Sequence, residues 1–357
     1  MAILDCVVVG AGIHGLCTAF WLRELGVTAL AVVERFGPEH DRGSSHGGTR
    51  ITRSAYGDPQ FVELARRAHT DGWPALEQRL GRPLRIPTPG VFYGPHDGPW
   101  ADYERATRGA AVTPLGVPEA RQRFPLLAFD DDDGVLVDDT AAVVLAAATM
   151  RGLREWLTTN GVAMHWHSPV VDLRAGPGGV QVVTNGATFT ARHVVLACGA
   201  WTGRLRGAAV PTTTVLRQTV GYFDVAAPDA ACVPGAFPVW ARIGRAATDF
   251  TYGLPSVDRQ GLKAAVHRTT GTGDDPDSTP QPVPDPQLLQ LAERRFACAV
   301  RSLRRTETCL YTMLAGERLL VLDDGELPVT TIAACSGHAF KFGPVIGRMA
   351  AERVLAP

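Results

Sequence analysis

The sequence predicts an α/β protein with two domains, and three observations carry this prediction. Apolar runs of strand length alternate with helical patterns between residues 4 and 34 and again between residues 139 and 201. Between these blocks, residues 86–139 are rich in Pro, Gly and Asp, and residues 216–311 carry short strand patterns. A length of 357 residues is enough for two domains that each bury a core.

The N-terminal block predicts a strand, a helix and a second strand. The run "LDCVVV" at residues 4–9 has the apolar character of a fully buried strand. A helical pattern follows as far as Leu25, and Gly26 suits the C-cap. The run "VTALAVVE" at residues 27–34 then predicts the second buried strand.

The turn between the first strand and the helix predicts a dinucleotide site. Gly10, Gly12 and Gly15 form a G-x-G-x-x-G pattern, and Glu34 lies 19 residues after Gly15. The glycines let the backbone approach a pyrophosphate at the helix N-terminus, and the acidic residue suits a ribose hydroxyl. We therefore expect a Rossmann-like domain.

A second set of elements predicts that this domain is discontinuous. Residues 193–201, "HVVLACGAW", contain a buried strand, preceded by a hairpin with Asn185 and Gly186 at its turn. Helical periodicity covers residues 139–161. We assign residues 1–85, 140–215 and 312–357 to the dinucleotide domain. A mixed-sheet α+β substrate domain takes residues 86–139 and 216–311, with a polar linker at residues 271–287.

Charge and hydropathy exclude several classes of partner. The formal net charge is −1, which leaves no general basic field for nucleic acid or an anionic membrane. We see no apolar stretch of the roughly 18 residues that a membrane span needs, and no positively charged leader. We expect a cytoplasmic protein.

The cysteines and histidines predict neither a disulfide framework nor a metal site. The seven cysteines are scattered and contain no C-x-x-C pair. The "HWH" at residues 165–167 lies in an alternating segment that continues into Val170, so both histidines would simply point to one face of a strand. We assign no metal.

Lysine usage singles out two positions. Lys263 and Lys341 are the two lysines among 35 Lys and Arg residues. Arg replaces a surface charge easily, but it does not replace a compact ammonium that must fit a small space or give up its proton. The two retained lysines are therefore candidates for function.

Three motifs carry a family resemblance. "GSSHGGTRITRSAYGD" at residues 43–58, "TCLYTM" at 308–313 and "SGHAFKFGP" at 336–344 follow the Gly-rich turn in that order. In this the chain resembles the monomeric sarcosine oxidase and N-methyltryptophan oxidase family, over essentially its whole length. That family is similar in fold to D-amino acid oxidase, with an FAD-binding domain beside a mixed-sheet substrate domain.

The resemblance implies a role for each matching position. Cys309 would form a thioether to the 8α carbon of FAD, and Lys263 would activate oxygen. Arg53 and Lys341 would bind the substrate carboxylate. The residues implied in catalysis are Lys263, His267, Thr49 and Arg50; those implied in the substrate pocket are Arg53, Lys341, Tyr252, Tyr311, Gly337 and His338. The cofactor contacts implied are Cys309, Gly10, Gly12, Gly15, Glu34, Arg35, Ser44, His46, Thr49, Val171, Gly199, Trp201 and Lys341.

The implied reaction is oxidation of a C–N bond in a secondary or cyclic amino acid to an imine, with O₂ reduced to H₂O₂ by a monomeric enzyme. A biosynthetic desaturase of a cyclic imino acid, as in nikkomycin biosynthesis, is an alternative. A nicotinamide-dependent dehydrogenase would share the Gly-rich turn but would not need Cys309 or the 336–344 segment. A flavin-binding regulator without turnover is a third alternative. The sequence leaves the preferred substrate open.

Overall fold

The computed structural model describes residues 3–108, 110–206, 210–246, 249–279, 283–333 and 335–356. Within them, strands β1–β19 are, in chain order, Leu4–Val9, Leu30–Val33, Thr49–Thr52, Arg85–Pro87, Gly90–Pro95, Thr113–Leu115, Asp133–Asp138, Ala142–Leu145, Ala163–His165, Val170–Gly176, Gly179–Thr184, Thr188–Leu196, Thr214–Val225, Val239–Arg242, Thr251–Leu254, Leu262–Val266, Val300–Met313, Leu320–Asp323 and Val329–Ala333. Helices α1–α10 are Ile13–Glu24, Pro59–Arg67, Trp73–Leu80, Pro99–Ala106, Val117–Arg123, Ala146–Thr159, Thr202–Arg206, Asp229–Cys232, Asp285–Arg295 and Gly343–Leu355.

The first sheet contains the predicted strand–helix–strand unit. Its strands run in the order β10-β11-β12-β1-β2-β9, and β19 also pairs with β12 and carries β18. The β1 strand is parallel to β2 and β12, and β2 is parallel to β9. A parallel centre, here with antiparallel strands added at the β10 side, is the layout expected of a Rossmann-like domain, so this part of the predicted fold class is confirmed.

Helices α1 and α10 pack together on one face of this sheet. The two helices approach so closely that a Cβ atom on Gly347 would lie only 2.5 Å from Cys17 Cβ. The C-terminal helix therefore needs glycine at this crossing. This packing fixes the turn that precedes α10, which carries Lys341.

The second sheet is mixed, as predicted. Its order is β17-β13-β16-β15-β14-β5-β7-β6, and β14 pairs in parallel with β5. Helices α5 and α9 cover one face through buried side chains such as Ala120, Phe124 and Leu291. The small third sheet, β3-β8-β4, carries the motif that contains Thr49 and Arg50. The domain boundaries given above stay a prediction.

Three local predictions were wrong. Residues 142–145 were predicted helical, but they form β8, which pairs with β3 and β4 and places a continuous apolar run in the core. A short apolar run is ambiguous between a buried strand and a buried helix.

The strand at "HWH" ends at His165, and His167 adopts φ 54°, so the two histidines do not share a strand face. The predicted polar linker is partly structured: the Asp274 N–H donates to Val215 O at 2.7 Å, and α9 begins at Asp285, while residues 280–282 lie outside the described part.

All seven cysteines are unpaired with one another. Among the described helices, none combines the length and the apolar character that crossing a membrane requires.

Candidate active site

A cavity of about 1600 Å³ lies where the three sheets meet. It runs from the Gly-rich turn after β1, past the 43–53 segment, to the second sheet and the turn before α10. The structure brings the sequence-predicted site residues together here: the lining includes Gly10, Gly12, Glu34, Arg35, Ser44, His46, Thr49, Arg50, Arg53, Val171, Gly199, Trp201, Tyr252, Lys263, His267, Cys309, Tyr311, Gly337, His338 and Lys341. Gly15 is not part of the lining.

The glycines of the turn have different roles. A Cβ on Gly15 would lie 1.8 Å from Gly10 O, so Gly15 lets helix α1 pack against the end of strand β1. Gly10 has φ +104°, and a Cβ there would lie 2.4 Å from Ala197 O. Gly12 faces the cavity, where the nearest atom to an added Cβ would be Ser45 Oγ at 3.2 Å. This turn therefore leaves backbone open to a ligand.

Glu34 supports the same turn from the end of β2. Its carboxylate accepts hydrogen bonds from Ala11 N at 2.7 Å and from Phe36 N at 2.9 Å. The side chain is buried and lines the cavity. The acidic group thus lies where a ribose hydroxyl would be recognised in a dinucleotide site.

The dinucleotide end of the cavity fits an anionic, aromatic ligand. Helix α1 has no side-chain cap at Gly12 and no acidic residue in its first turn, so its positive end is not neutralised by its own side chains. Arg35 lies over Phe36 at 5.1 Å and over the ring of Trp201 at 5.5 Å. Among the described residues, the buried His46 Nδ1 has no hydrogen-bond partner, so it is available to a ligand in the cavity. These residues fit a flavin dinucleotide.

Two cations, the half-buried Arg53 and the buried Lys341, also line the cavity. The Arg53 guanidinium lies 4.5 Å from the ring centre of Tyr56, and Lys341 Nζ lies 5.6 Å from it. Arg53 also donates to Tyr103 Oη at 3.0 Å, and the Trp73 indole donates to Lys341 O at 2.9 Å. Neither cation forms an ion pair with a carboxylate of the described chain. An anion bound here would pair with both cations.

These cations perturb each other and the phenol between them. Burial lowers the pKa of Lys341, and the charge of Arg53 lowers it further. Burial alone would raise the pKa of Tyr56, but Lys341 and Arg53 outweigh it and bring the pKa below its ordinary value. A binding anion would relieve this excess of positive charge.

A group of rings forms the wall beside the two cations. The Tyr252 and Tyr311 hydroxyls lie 3.1 Å apart, and the His267 ring is tilted against that of Tyr311 with the ring centres 5.5 Å apart. His338 Nε2 lies 3.1 Å from Glu317 O, so this nitrogen carries the hydrogen in that contact. Burial, with Lys341 nearby, lowers the pKa of His338 to about 3. His338 is therefore neutral at physiological pH.

Lys263 reaches the cavity from the second sheet. It lies on β16, is buried, and points Nζ toward Thr49 O at 3.4 Å. Burial lowers the pKa of Lys263 to about 7, with Arg50 adding to the effect. Arg50 in turn donates to Ser44 O at 2.8 Å and to His46 O at 2.7 Å, which holds the 43–50 segment in place.

Cys309 lies on β17 in the lining of the same cavity. Burial raises the pKa of its thiol, and the nearby charges of Arg50 and Lys263 partly counter that rise. The neighbouring Ser44 hydroxyl donates to Leu310 O, so the 43–50 segment is tied to this strand.

Sequence reasoning missed several cavity residues with ionisable groups, among them Tyr56, Glu307 and Glu317. Tyr56 is part of the 43–58 motif, three residues after Arg53. Glu307 precedes Cys309 by two residues on one strand, so the two-residue period of a strand places both on one face. Glu317 carried no signal: it lies in an irregular turn with φ 53°, and its Oε2 is 3.8 Å from His267 Nε2.

Comparison with known proteins gives relatives along the whole chain. Monomeric sarcosine oxidase of Streptomyces avermitilis is 29% identical over 98% of this chain and 93% of its own length. Peroxisomal sarcosine oxidase of Mus musculus is 30% identical over 98% of this chain and 91% of its own length. N-methyl-L-tryptophan oxidase of Yersinia pestis is 25% identical over 97% of this chain and 94% of its own length. The resemblance inferred from the three motifs is confirmed.

Solved structures show the same fold at lower identity. NikD, an amino acid oxidase essential for nikkomycin biosynthesis, superposes with a TM-score of 0.86 at 21% identity, covering 99% of this chain and 94% of its own. L-proline dehydrogenase from P. horikoshii gives a TM-score of 0.81 at 17% identity, covering 98% and 92%. The predicted two-domain fold class is confirmed.

The family profile described as FAD dependent oxidoreductase matches residues 5–353. This match favours a flavin over the nicotinamide cofactor that we considered as an alternative. The dinucleotide end of the cavity fits a flavin dinucleotide. The chain belongs to the DAO family of FAD dependent oxidoreductases.

Proposed function

We propose that this protein oxidises the C–N bond of a secondary or cyclic amino acid to an imine and reduces O₂ to H₂O₂. The observation that carries the proposal is the pair of cations, half-buried Arg53 and buried Lys341, that face the cavity without a carboxylate partner among the described residues. Relatives named for oxidation of sarcosine and N-methyl-L-tryptophan support the choice of a secondary amino acid.

FAD held at the dinucleotide end of the cavity would supply the redox chemistry, as a hydride acceptor for the substrate carbon and an electron donor to O₂. The chain's own residues hold the substrate in the reactive orientation. Arg53 offers a planar fork for both carboxylate oxygens, and Lys341 adds a compact charge. Fixing the carboxylate fixes which carbon faces the reactive centre.

The ring wall controls water and protons around the bound substrate. Tyr252 and Tyr311 are paired through their hydroxyls and cover one side of the pocket. A neutral His338 adds no charge there, so the substrate amine does not meet a third cation. His267, also part of this wall, faces the Glu317 carboxylate, which can accept a hydrogen bond from the His267 imidazole.

Lys263 serves the reaction with oxygen in this proposal. Negative charge develops on oxygen as it is reduced, and a buried ammonium stabilises that charge far better than water does. The contact with Thr49 O holds the Lys263 side chain at the cavity wall.

We also propose that Cys309 holds FAD through a thioether to its 8α carbon. The cavity position of Cys309 and the two cations close to its thiol support this assignment. The non-covalent contacts would come from Gly10, Gly12, Glu34, Arg35, Ser44, His46, Thr49, Val171, Gly199, Trp201 and Lys341. Gly15 would contribute indirectly, through the packing of α1 on β1.

The remaining parts of the proposal concern the state of the protein. A monomer is proposed because the bacterial relatives are named monomeric sarcosine oxidases. A cytoplasmic location is proposed because the seven cysteines are unpaired with one another, as in a reducing compartment.

A screen for peroxide release tests the proposed reaction. Purified protein would be incubated in air with N-methyl amino acids, cyclic imino acids and their primary amino acid counterparts. We expect H₂O₂ and an imine-derived carbonyl product from at least one secondary amino acid. Absence of peroxide from the whole series, with FAD bound, would reject the proposed function.

A further inference from the structure

A row of three side chains crosses the second sheet beside the cavity. Lys263 on β16 is directly opposite Tyr222 on β13, and Tyr222 is directly opposite Arg305 on β17. Residues in register on adjacent strands share a face of the sheet. The ring of Tyr222 accordingly lies 5.3 Å from Lys263 Nζ and 3.7 Å from the Arg305 guanidinium.

Glu307 completes this row with a negative charge. The Tyr222 hydroxyl donates to Glu307 Oε2 at 2.7 Å, and Arg305 pairs with Glu307 Oε1. The carboxylate reaches the cavity lining and packs against the 43–50 segment, since a Cβ on Gly47 would lie 2.9 Å from its Oε2. Burial opposes the charged form of Glu307, but its hydrogen bonds to Arg305 and Tyr222 outweigh burial and lower its pKa. Glu307 is therefore ionised at neutral pH.

The charges that face Lys263 act in opposite directions. Burial lowers the pKa of Lys263, and the cations Arg50 and Arg305 lower it further. Glu307 raises it, as would any thiolate at Cys309. Cys309 adds no charge, because burial raises the pKa of its free thiol and the proposed thioether to FAD does not ionise. Glu307 is thus the charged group among these that favours the ammonium.

We propose that Glu307, held in place by Tyr222, is a positioning residue that keeps Lys263 in its ammonium form for the reaction with O₂. The inference rests on the proposed role of Lys263 and extends it to a residue that acts through that lysine. Without the carboxylate, Arg50, Arg305 and Lys263 would form an uncompensated group of three cations. Lys263 would relieve that repulsion by losing its proton.

The test measures how fast substrate-reduced protein reacts with O₂ as a function of pH. Wild type, Glu307→Gln, Tyr222→Phe and Lys263→Met would be reduced anaerobically and mixed with O₂ in a stopped-flow instrument. In Glu307→Gln we expect the fall in rate to move to lower pH by about one unit, which is about tenfold slower reoxidation above the midpoint. At the lowest pH the rates of Glu307→Gln and wild type should converge. Glu307→Asp should restore part of the displacement.

Two controls keep the result interpretable. Glu155→Gln removes a carboxylate of the same charge from an exposed ion pair with Arg82 that is not part of the cavity lining, and it should leave the profile unchanged. If Glu307→Gln does not fold with FAD bound, Tyr222→Phe takes its place. It keeps the ring and removes only the hydrogen bond to Glu307, so a smaller displacement in the same direction is expected.

The outcomes separate the inference from the function on which it rests. If Lys263→Met reoxidises as fast as wild type, the proposed role of Lys263 fails. If Lys263→Met is slow but Glu307→Gln keeps the wild-type midpoint, the inference about Glu307 alone is overturned. An equal loss of rate at every pH would also overturn it, because that is the signature of a purely structural role.

Discussion

Gly337 packs against the ring of Tyr311 with no space for a side chain. A Cβ at Gly337 would lie 2.4 Å from Tyr311 Cε2, and the backbone there has φ +73°. The glycine thereby allows the 336–344 motif to approach the ring wall and sets the position of Lys341, which follows four residues later. Both features disfavour any L side chain at this position.

We predict that Gly337→Ala destabilises the protein and displaces Tyr311. The left-handed backbone alone costs about 1–3 kcal/mol for a residue with a Cβ, and the contact with the ring adds to it. Urea unfolding and the affinity for a carboxylate ligand such as acetate would measure the two effects. Gly325→Ala is the matched control, because a Cβ there meets nothing within 4 Å. Equal stability of the two variants would contradict the account.

Replacing Lys263 should separate the two halves of the reaction. Loss of one group that stabilises developing charge typically slows a reaction by about 10²–10³, so Lys263→Met should slow reoxidation by O₂ by that order. Anaerobic reduction by substrate should change much less. Rapid mixing measures each half-reaction separately, and equal slowing of both would assign Lys263 to binding or folding instead.

The pH dependence of wild-type reoxidation follows from the same residue. The ammonium is the effective form, and burial lowers the pKa of Lys263 to about 7. Reoxidation should therefore be fast below that pH and should decline as the pH rises through it. Lys263→Met should lose this dependence, whereas a wild-type rate that increases with pH would contradict the assignment.

Much of this site could be predicted because many of its residues lie in the Gly-rich turn or in the motifs at residues 43–58, 308–313 and 336–344. The Gly-rich turn and Glu34 have a fixed spacing that follows from strand–helix–strand geometry. The lysines were conspicuous in a chain that otherwise uses Arg. The family resemblance then supplied roles for residues such as Cys309 that no local pattern distinguishes from another buried cysteine.

Other features depend on tertiary contacts that no local pattern reports. Strand β8 was predicted helical because its apolar run is compatible with both structures, and its pairing with β3 and β4 decides the matter. Tyr222 and Glu307 become neighbours of Lys263 only through the register of three strands that are distant in sequence. Glu317 lies in a turn whose backbone conformation is unusual for glutamate.

Cys309→Ser should convert a covalently bound flavin into a dissociable one. The hydroxyl of serine does not form the thioether, and the rest of the cavity still provides the dinucleotide contacts. Acid precipitation of wild-type protein should leave the yellow colour in the pellet, and the same treatment of Cys309→Ser should release it into the supernatant. Release of all flavin from the wild type would disprove covalent attachment.

The cations Arg53 and Lys341 at the cavity wall predict that the substrate needs a free carboxylate. Lys341→Met, or amidation of the substrate, should raise KM sharply and slow anaerobic reduction, because a misplaced C–H bond loses alignment as well as affinity. Sarcosine and pipecolate would be compared with their amides in one anaerobic series. Comparable rates for acids and amides would reject the carboxylate clamp.

The central claim is that the chain takes electrons from the C–N bond of a secondary amino acid and gives them to O₂. The most direct measurement is the visible spectrum of the purified yellow protein, first mixed anaerobically with sarcosine, pipecolate or another N-substituted amino acid and then opened to air. The account predicts bleaching on mixing, recovery of the colour in air and release of H₂O₂ in proportion to the substrate consumed. A spectrum that stays unchanged with every secondary amino acid, or that bleaches only with a reduced nicotinamide, would contradict it.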